Sequence, residues 1–171
     1  MSRTEQPQYT VAETHGNIEI RDYAPMIVAE VDVSGERKAA VNRGFRMIAG
    51  YIFGGNQPAQ KIAMTAPVLQ QPTGGSWKVR FVMPKQYSLE SLPAPNDPAV
   101  NLVQVGARRY AAIRFSGTTG EDNLLKHREL LAKFVAKHEL KTVGEPVMAF
   151  YNPPWTLPFL RRNEILVELG G

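Results

Sequence analysis

The chain has 171 residues, 43% of them apolar, a net charge of +4 and no cysteine. By size it is one ordinary domain or two small halves sharing a core, and the missing thiols exclude disulfides, thiolate-ligated metals and cysteine-based zinc or iron–sulfur sites. No apolar run approaches the ~18 residues that span a bilayer, and Met1 to Gln8 lacks the apolar core of a secretory signal, so a cytoplasmic protein without a membrane span is expected, a lost leader being the alternative.

In chain order, Tyr9 to Glu13 is a predicted strand, His15-Gly16-Asn17 a turn, and Ile18, Ile20 and Tyr23 lead to Pro25. Val28 to Val33 predicts a further strand closed by Ser34-Gly35, with Ser34 placed to cap the next helix and Glu36 near its positive end. The amphipathic pattern from Glu36 to Phe53 predicts that helix, with Val41, Phe45, Ile48 and Ile52 as its buried stripe. Gly44, Met47 and Tyr51 flank the stripe on one side, and Asn42, Arg46 and Ala49 on the other. Gly54-Gly55 ends the helix. In Lys61 to Val68, Ile62, Met64, Ala66 and Val68 alternate with Lys61, Ala63 and Thr65, which predicts a strand with one buried face, ended by Pro67. Gln70 to Ser76 reads as a turn, Trp77 to Met83 as a strand, and Pro84 to Pro98, with four prolines, as a surface connector.

The second half repeats this plan. An offset of 82 places Gly35 on Gly117, Val33 on Phe115, Val31 on Ile113, Ala29 on Ala111, Ile20 on Leu102 and Ile18 on Val100. A second helix is predicted over 121–140, Val147 to Tyr151 takes the place of the Met-Thr-Ala strand, and Trp77 to Met83 matches Asn163 to Leu169. The expected fold is therefore α+β, with pseudo-symmetric halves of about 9–84 and 99–169, each βαββ in type, forming a curled antiparallel sheet on which two helices pack.

Three stretches carry a family resemblance: Ile18-Glu-Ile-Arg-Asp-Tyr-Ala-Pro25, Lys61-Ile-Ala-Met-Thr-Ala-Pro-Val68, and Tyr151-Asn-Pro-Pro-Trp with Arg161-Arg-Asn-Glu164. In this order they resemble the SOUL haem-binding protein family over roughly Tyr9 to Leu169, a single domain. The resemblance implies a distorted antiparallel β-barrel flanked by two helices. It also implies a shallow apolar groove for a tetrapyrrole, between the first helix and the loop joining the last two strands. Carried across, the helix supplies Asn42, Phe45, Arg46 and Ala49, and the loop is Asn152-Pro-Pro-Trp-Thr-Leu-Pro-Phe159 with Trp155, Leu157 and Phe159. Its prolines present these side chains at low entropic cost, and nearby arginines suit the propionates; a lid over the open end of the sheet is the other reading.

Some animal members carry a histidine, proposed as the iron ligand, where this chain has Asp22, so that ligation is not carried over. His15 falls in a turn, and His127 and His138 fall on the apolar side of the second helix, near Leu131 and Phe134. A separation of about 16 Å keeps those two off one metal. Met47 and Met64 read as core filler, with weak iron ligation as the alternative, and Tyr151 offers an oxygen donor to ferric iron.

The chain has no Gly-x-Ser-x-Gly, no His-Glu-x-x-His, no phosphate loop and no nucleic-acid-binding motif; the fold could bring the carboxylates Glu13, Asp22 and Glu30 together, but on a sheet surface they read as solvated. The basic residues, including the pairs Arg108-Arg109 and Arg161-Arg162, read as a solvated surface. The leading reading is non-catalytic binding of haem or a related porphyrin, weakly or non-specifically ligated, by a carrier, buffer or sensor. The rivals are an enzyme acting on bound haem or another hydrophobic ligand, and a protein-interaction module.

Overall fold

The computed structural model describes residues 4–153 and 155–170. In chain order the elements are β1 (Tyr9–His15), β2 (Ile18–Tyr23), β3 (Met26–Ser34), α1 (Arg37–Ile52), β4 (Asn56–Gln57), β5 (Val68–Pro72) and β6 (Ser76–Val82). There follow β7 (Ala94–Pro95), β8 (Asn101–Val105), β9 (Arg108–Phe115), α2 (Glu121–Lys137), β10 (Thr142–Phe150), a single 3-10 turn (Pro158–Leu160) and β11 (Asn163–Leu169). The architecture is α+β with antiparallel strand pairing, as expected.

The chain forms two compact units, one of residues 4–7 and 25–106, the other of 8–24 and 107–170. The first holds α1 and strands in the order β5-β6-β3-β8, plus the small β4-β7 pair; the second holds α2 and β1-β2-β9-β11-β10. The repeat is written into the ladders. Val33 pairs with Trp77 and Phe115 with Asn163, while Met26 pairs with Val105 and Arg108 with Tyr23. Strand β2 thus does in the second unit what β8 does in the first. Gly35 and Gly117, at φ 111° and 102°, close the equivalent strands β3 and β9 with a backbone that only glycine adopts readily.

In the first unit Ala29, Val31 and Val33 of β3 and Val79 and Phe81 of β6 meet Ala40, Ile48, Tyr51 and Ile52 of α1. The buried face of α1 is turned from the expected stripe: Gly44 is buried, Val41 is half-buried and Phe45 is exposed. Gly44 explains the turn, because a Cβ there would lie 2.8 Å from Val79 Cγ2 and 3.1 Å from Val31 Cγ2, so the helix seats where it has no side chain. The cap also differs from expectation. Glu36, not Ser34, caps α1, its carboxylate accepting from the amides of Lys38 (3.0 Å) and Ala39 (3.3 Å). Ser34 instead offers its carbonyl to the Arg43 guanidinium.

Three further expectations are corrected. Lys61 to Val68 is not a strand: only Lys61 and Thr65 make isolated bridges, and β5 begins at Val68. Its alternation fails because Met64 is exposed while Thr65 is buried, its hydroxyl donating to the Val82 carbonyl at 2.5 Å. The turn after it is short, Thr73 to Gly75, with Gly74 and Gly75 both at positive φ. The proline-rich connector is partly core, since Leu92 and Pro93 are buried and the Pro93 carbonyl accepts from the Tyr51 hydroxyl at 2.7 Å.

Candidate functional site

In the second unit, Ile18 and Ile20 of β2, Ala111 and Ile113 of β9 and Ile165 and Val167 of β11 lie in register on one face of the sheet. The opposite face carries Glu19, Arg21 and Tyr23, then Tyr110, Ala112 and Arg114, then Glu164 and Leu166, because successive side chains alternate. Arg21 lies opposite Tyr110 and Glu164 opposite Arg114, so the two charges sit diagonally across β9, with Ala112 between. Two strand spacings across (~9.6 Å) and four residues along the strand (~13 Å) separate the two backbones by ~16 Å, a span bridged only by long side chains lying along the sheet past the small Ala112.

They do bridge it. Arg21, 1% exposed, donates to both carboxylate oxygens of Glu164, 0% exposed, at 2.7 and 2.9 Å. The same guanidinium donates to Glu19 at 2.9 Å and to the Tyr23 hydroxyl at 3.0 Å, and it lies over the Tyr9 ring. Glu164 also accepts from Arg162 Nε (3.0 Å) and from the Tyr151 hydroxyl (3.0 Å), while Arg162 stacks on the Tyr151 ring and reaches the Tyr9 hydroxyl. Two carboxylates thus face two guanidiniums, and the cluster is formally neutral. Burial pushes the Glu164 carboxyl up, but the hydrogen bonds and charges of Arg21 and Arg162 outweigh it and hold it below the usual carboxylate range. Burial first, then the Glu164 charge, pushes the Tyr151 phenol far up, and burial raises Tyr23 to about 12.

Sequence reasoning did not pair Arg21 with Glu164, which lie 143 residues apart. The signal was ionisable residues alternating with apolar ones, once in Ile18-Glu-Ile-Arg21 and once in Asn163-Glu-Ile-Leu166.

The network anchors the root of the apolar loop. Tyr151 and Arg162 stand at its two ends, both bonded to Glu164, and the Tyr151 amide donates to the Arg162 carbonyl at 3.2 Å. Within the loop Thr156 N donates to Pro153 O, Leu160 N to Leu157 O and Arg161 Nε to Thr156 O, and Gly117 N ties Pro158 O down at 2.9 Å. On this frame Trp155 is 82% and Phe159 72% exposed, with Leu157 also exposed. Leu160, which sequence reasoning omitted, joins them. Several backbone groups of the loop are thus bonded, while its large apolar side chains are left in water. Pro154 lies outside the described residues.

On α1, Asn42, Phe45 and Arg46 are exposed and Ala49 half-buried, which at spacings of three, four and seven gives one outward face. The Phe45 ring rests on Phe81 at 5.2 Å between centroids. The loop set belongs to the second unit and this set to the first.

The candidate ligating atoms are largely engaged. Asp22 is held by Arg109 through bonds of 2.7 and 2.9 Å, and those bonds keep its carboxyl below the usual range. The Tyr151 hydroxyl, as donor to Glu164, is held neutral, which argues against a tyrosinate ligand. His127 stacks on Phe115 at 3.9 Å, and its Nδ1 lies 2.8 Å from the Asn123 carbonyl. Glu13 faces His15 and Glu30 faces Arg80 and Lys78, so these carboxylates serve separate partners. Among the described residues no group of three or more His, Asp or Glu is arranged to hold a metal ion, and no helix is long and apolar enough to cross a membrane.

Comparison with known proteins places these features in a family. The family model described as SOUL heme-binding protein matches residues 4–168. Heme-binding protein 2 of Mus musculus is 28% identical over 159 residues, covering 88% of this chain and 77% of that protein. Among solved structures, a hydrolase from Listeria innocua superposes with a TM-score of 0.63 at 11% identity, covering 90% of this chain and 92% of that one. The EcmrR C-terminal domain gives 0.63 at 12% identity, covering 95% and 98%. At such identities these two structures share the fold alone.

Proposed function

The chain belongs to the SOUL haem-binding protein family, and we propose that it binds haem or a related tetrapyrrole without transforming it, as a carrier, buffer or sensor. The observation that carries this reading is the anchored loop, whose Trp155, Leu157 and Phe159 stay exposed although burying them would be favourable. A flat apolar ring system is the chemistry such a surface takes, because stacking and desolvation need area rather than directed bonds. The outward face of α1 offers a second such surface, with Phe45 as the apolar ring, Ala49 as a small floor, and Arg46 and Asn42 as polar partners for propionates.

Axial ligation contributes little in this reading. Asp22 and Tyr151 are both occupied, so affinity comes from apolar contact and charge, and Tyr151 acts as the root of the loop. When bound, haem would supply the iron and its redox chemistry; the chain's residues hold the ring and set its exposure to water. Titration with hemin tests the reading. A saturable Soret band that persists on adding peroxide supports a non-catalytic binder, decay of the band with product formation supports the enzyme alternative, and no saturable band removes haem.

A further inference from the structure

We propose that His15 and His138 form a two-imidazole site for a zinc ion, with Glu13 orienting His15. His15 is the last residue of β1, and its register partner across the hairpin is Ile18. His138 caps the C-terminus of α2, its amide donating to the Phe134 carbonyl at 3.0 Å. The sequence puts these residues 123 positions apart, yet the second unit brings their rings to 5.1 Å between centroids, beside Phe134.

The spacing lets both rings reach one ion. With a metal–nitrogen bond of ~2.0 Å and a ring centroid ~1.1 Å beyond the nitrogen, two imidazoles on one tetrahedral ion have centroids ~5 Å apart, against ~4.4 Å for cis square-planar and ~6.3 Å for trans axial ligation. The observed 5.1 Å is within reach of one tetrahedral ion and shorter than trans ligation of a haem iron needs, so the site does not rest on the tetrapyrrole reading.

The surroundings fit a cation too. Glu13 Oε1 lies 3.0 Å from His15 Nε2, the arrangement in which the Nε2–H donates to the carboxylate and the lone pair of the other nitrogen, Nδ1, is left for a metal. His138 stands at the negative end of a helix of 17 residues, where positive charge is favoured. Solvent completes the coordination, since the described residues contain no third ligand arranged for the ion. A bound ion would tie the β1-β2 hairpin to the end of α2, and the unit's stability would rise with zinc concentration.

Calorimetric titration of the untagged full chain with zinc chloride, alongside thermal melts with and without zinc, tests this. The expected result is saturable binding near one equivalent with a zinc-dependent rise in Tm, weakened at least about tenfold in His15→Gln and in His138→Gln and about 10- to 100-fold in Glu13→Gln. His127→Gln should behave as the parent chain. Far-ultraviolet circular dichroism of each variant separates lost binding from lost folding, and zinc-induced shifts of the His15 and His138 ring nitrogens in NMR spectra of the parent chain give a readout that needs no variant. No saturable binding at millimolar zinc, or binding unchanged in either single histidine variant, would overturn the site. Unchanged affinity in Glu13→Gln would overturn the oriented arrangement.

Discussion

Replacing Glu164 with leucine removes the acceptor of two guanidiniums and one phenol while leaving Arg21 buried. Losing one partner of a buried pair costs about 3–5 kcal/mol, mostly because the remaining charge, here left with Glu19 as its one carboxylate, is poorly compensated away from water. For a chain of 171 residues, each kcal/mol shifts Tm by about 2–4 °C, so the melt should fall by about 6–20 °C. Adding Arg21→Met removes the stranded charge and supplies apolar volume. The double variant should therefore be more stable than the sum of the singles implies, by about 2 kcal/mol or more. Urea unfolding of the four proteins measures this cycle. A cost below about 1 kcal/mol for Glu164→Leu, or strict additivity, would refute the claim that the pair is closed and mutually required. The pH dependence gives an independent sign. Since Glu164 titrates below its ordinary range when folded, its contribution is complete above about pH 4.3 and is lost as pH falls through the folded value, so acid unfolding should lose steepness in Glu164→Leu.

Other outcomes follow from the same structure. Gly44→Ala should destabilise by about 1–3 kcal/mol although alanine is the better helix former, because its Cβ would press on the buried Val79 and Val31; a rise in Tm would show that the helix shifts freely. Burial holds Tyr23 and Tyr51 protonated to about 12, whereas the unfolded phenols ionise near 10, so the unfolded state binds fewer protons between these values and stability should fall as pH rises from about 10 to 12. A flat urea midpoint over that window would contradict the burial of these hydroxyls. Arg46→Ala should lower hemin affinity less than loss of an aromatic ring does, since an exposed ion pair contributes only about 0–1 kcal/mol; a larger loss would reverse the ranking of charge and apolar contact.

Much of the fold was legible because the repeat is a pattern of apolar residues, and such patterns specify register. The apolar pattern that aligned Val33 with Phe115 at an offset of 82 also matched their ladder partners, Trp77 and Asn163, at an offset of 86. Where hydropathy says nothing, the reading slipped. Gly44 has no side chain to mark a face, so the stripe was drawn through Phe45. Lys61 to Val68 alternates like a strand, but the Ala66 amide donates to the Glu5 carbonyl and the Thr65 hydroxyl to Val82, which no local pattern announces. The loop residues were readable as apolar and proline-rich, whereas their anchoring through Glu164 depends on a pairing that only the folded sheet creates.

The most direct test of the account is hemin affinity in Trp155→Ala. Covering an aromatic side chain contributes about 1.5–3 kcal/mol, so if the indole forms part of the binding surface the variant should bind about ten- to a hundredfold more weakly, with an unchanged thermal melt because Trp155 is 82% exposed in the free protein. Unchanged affinity in a folded Trp155→Ala protein would remove the loop from the site and contradict the proposal.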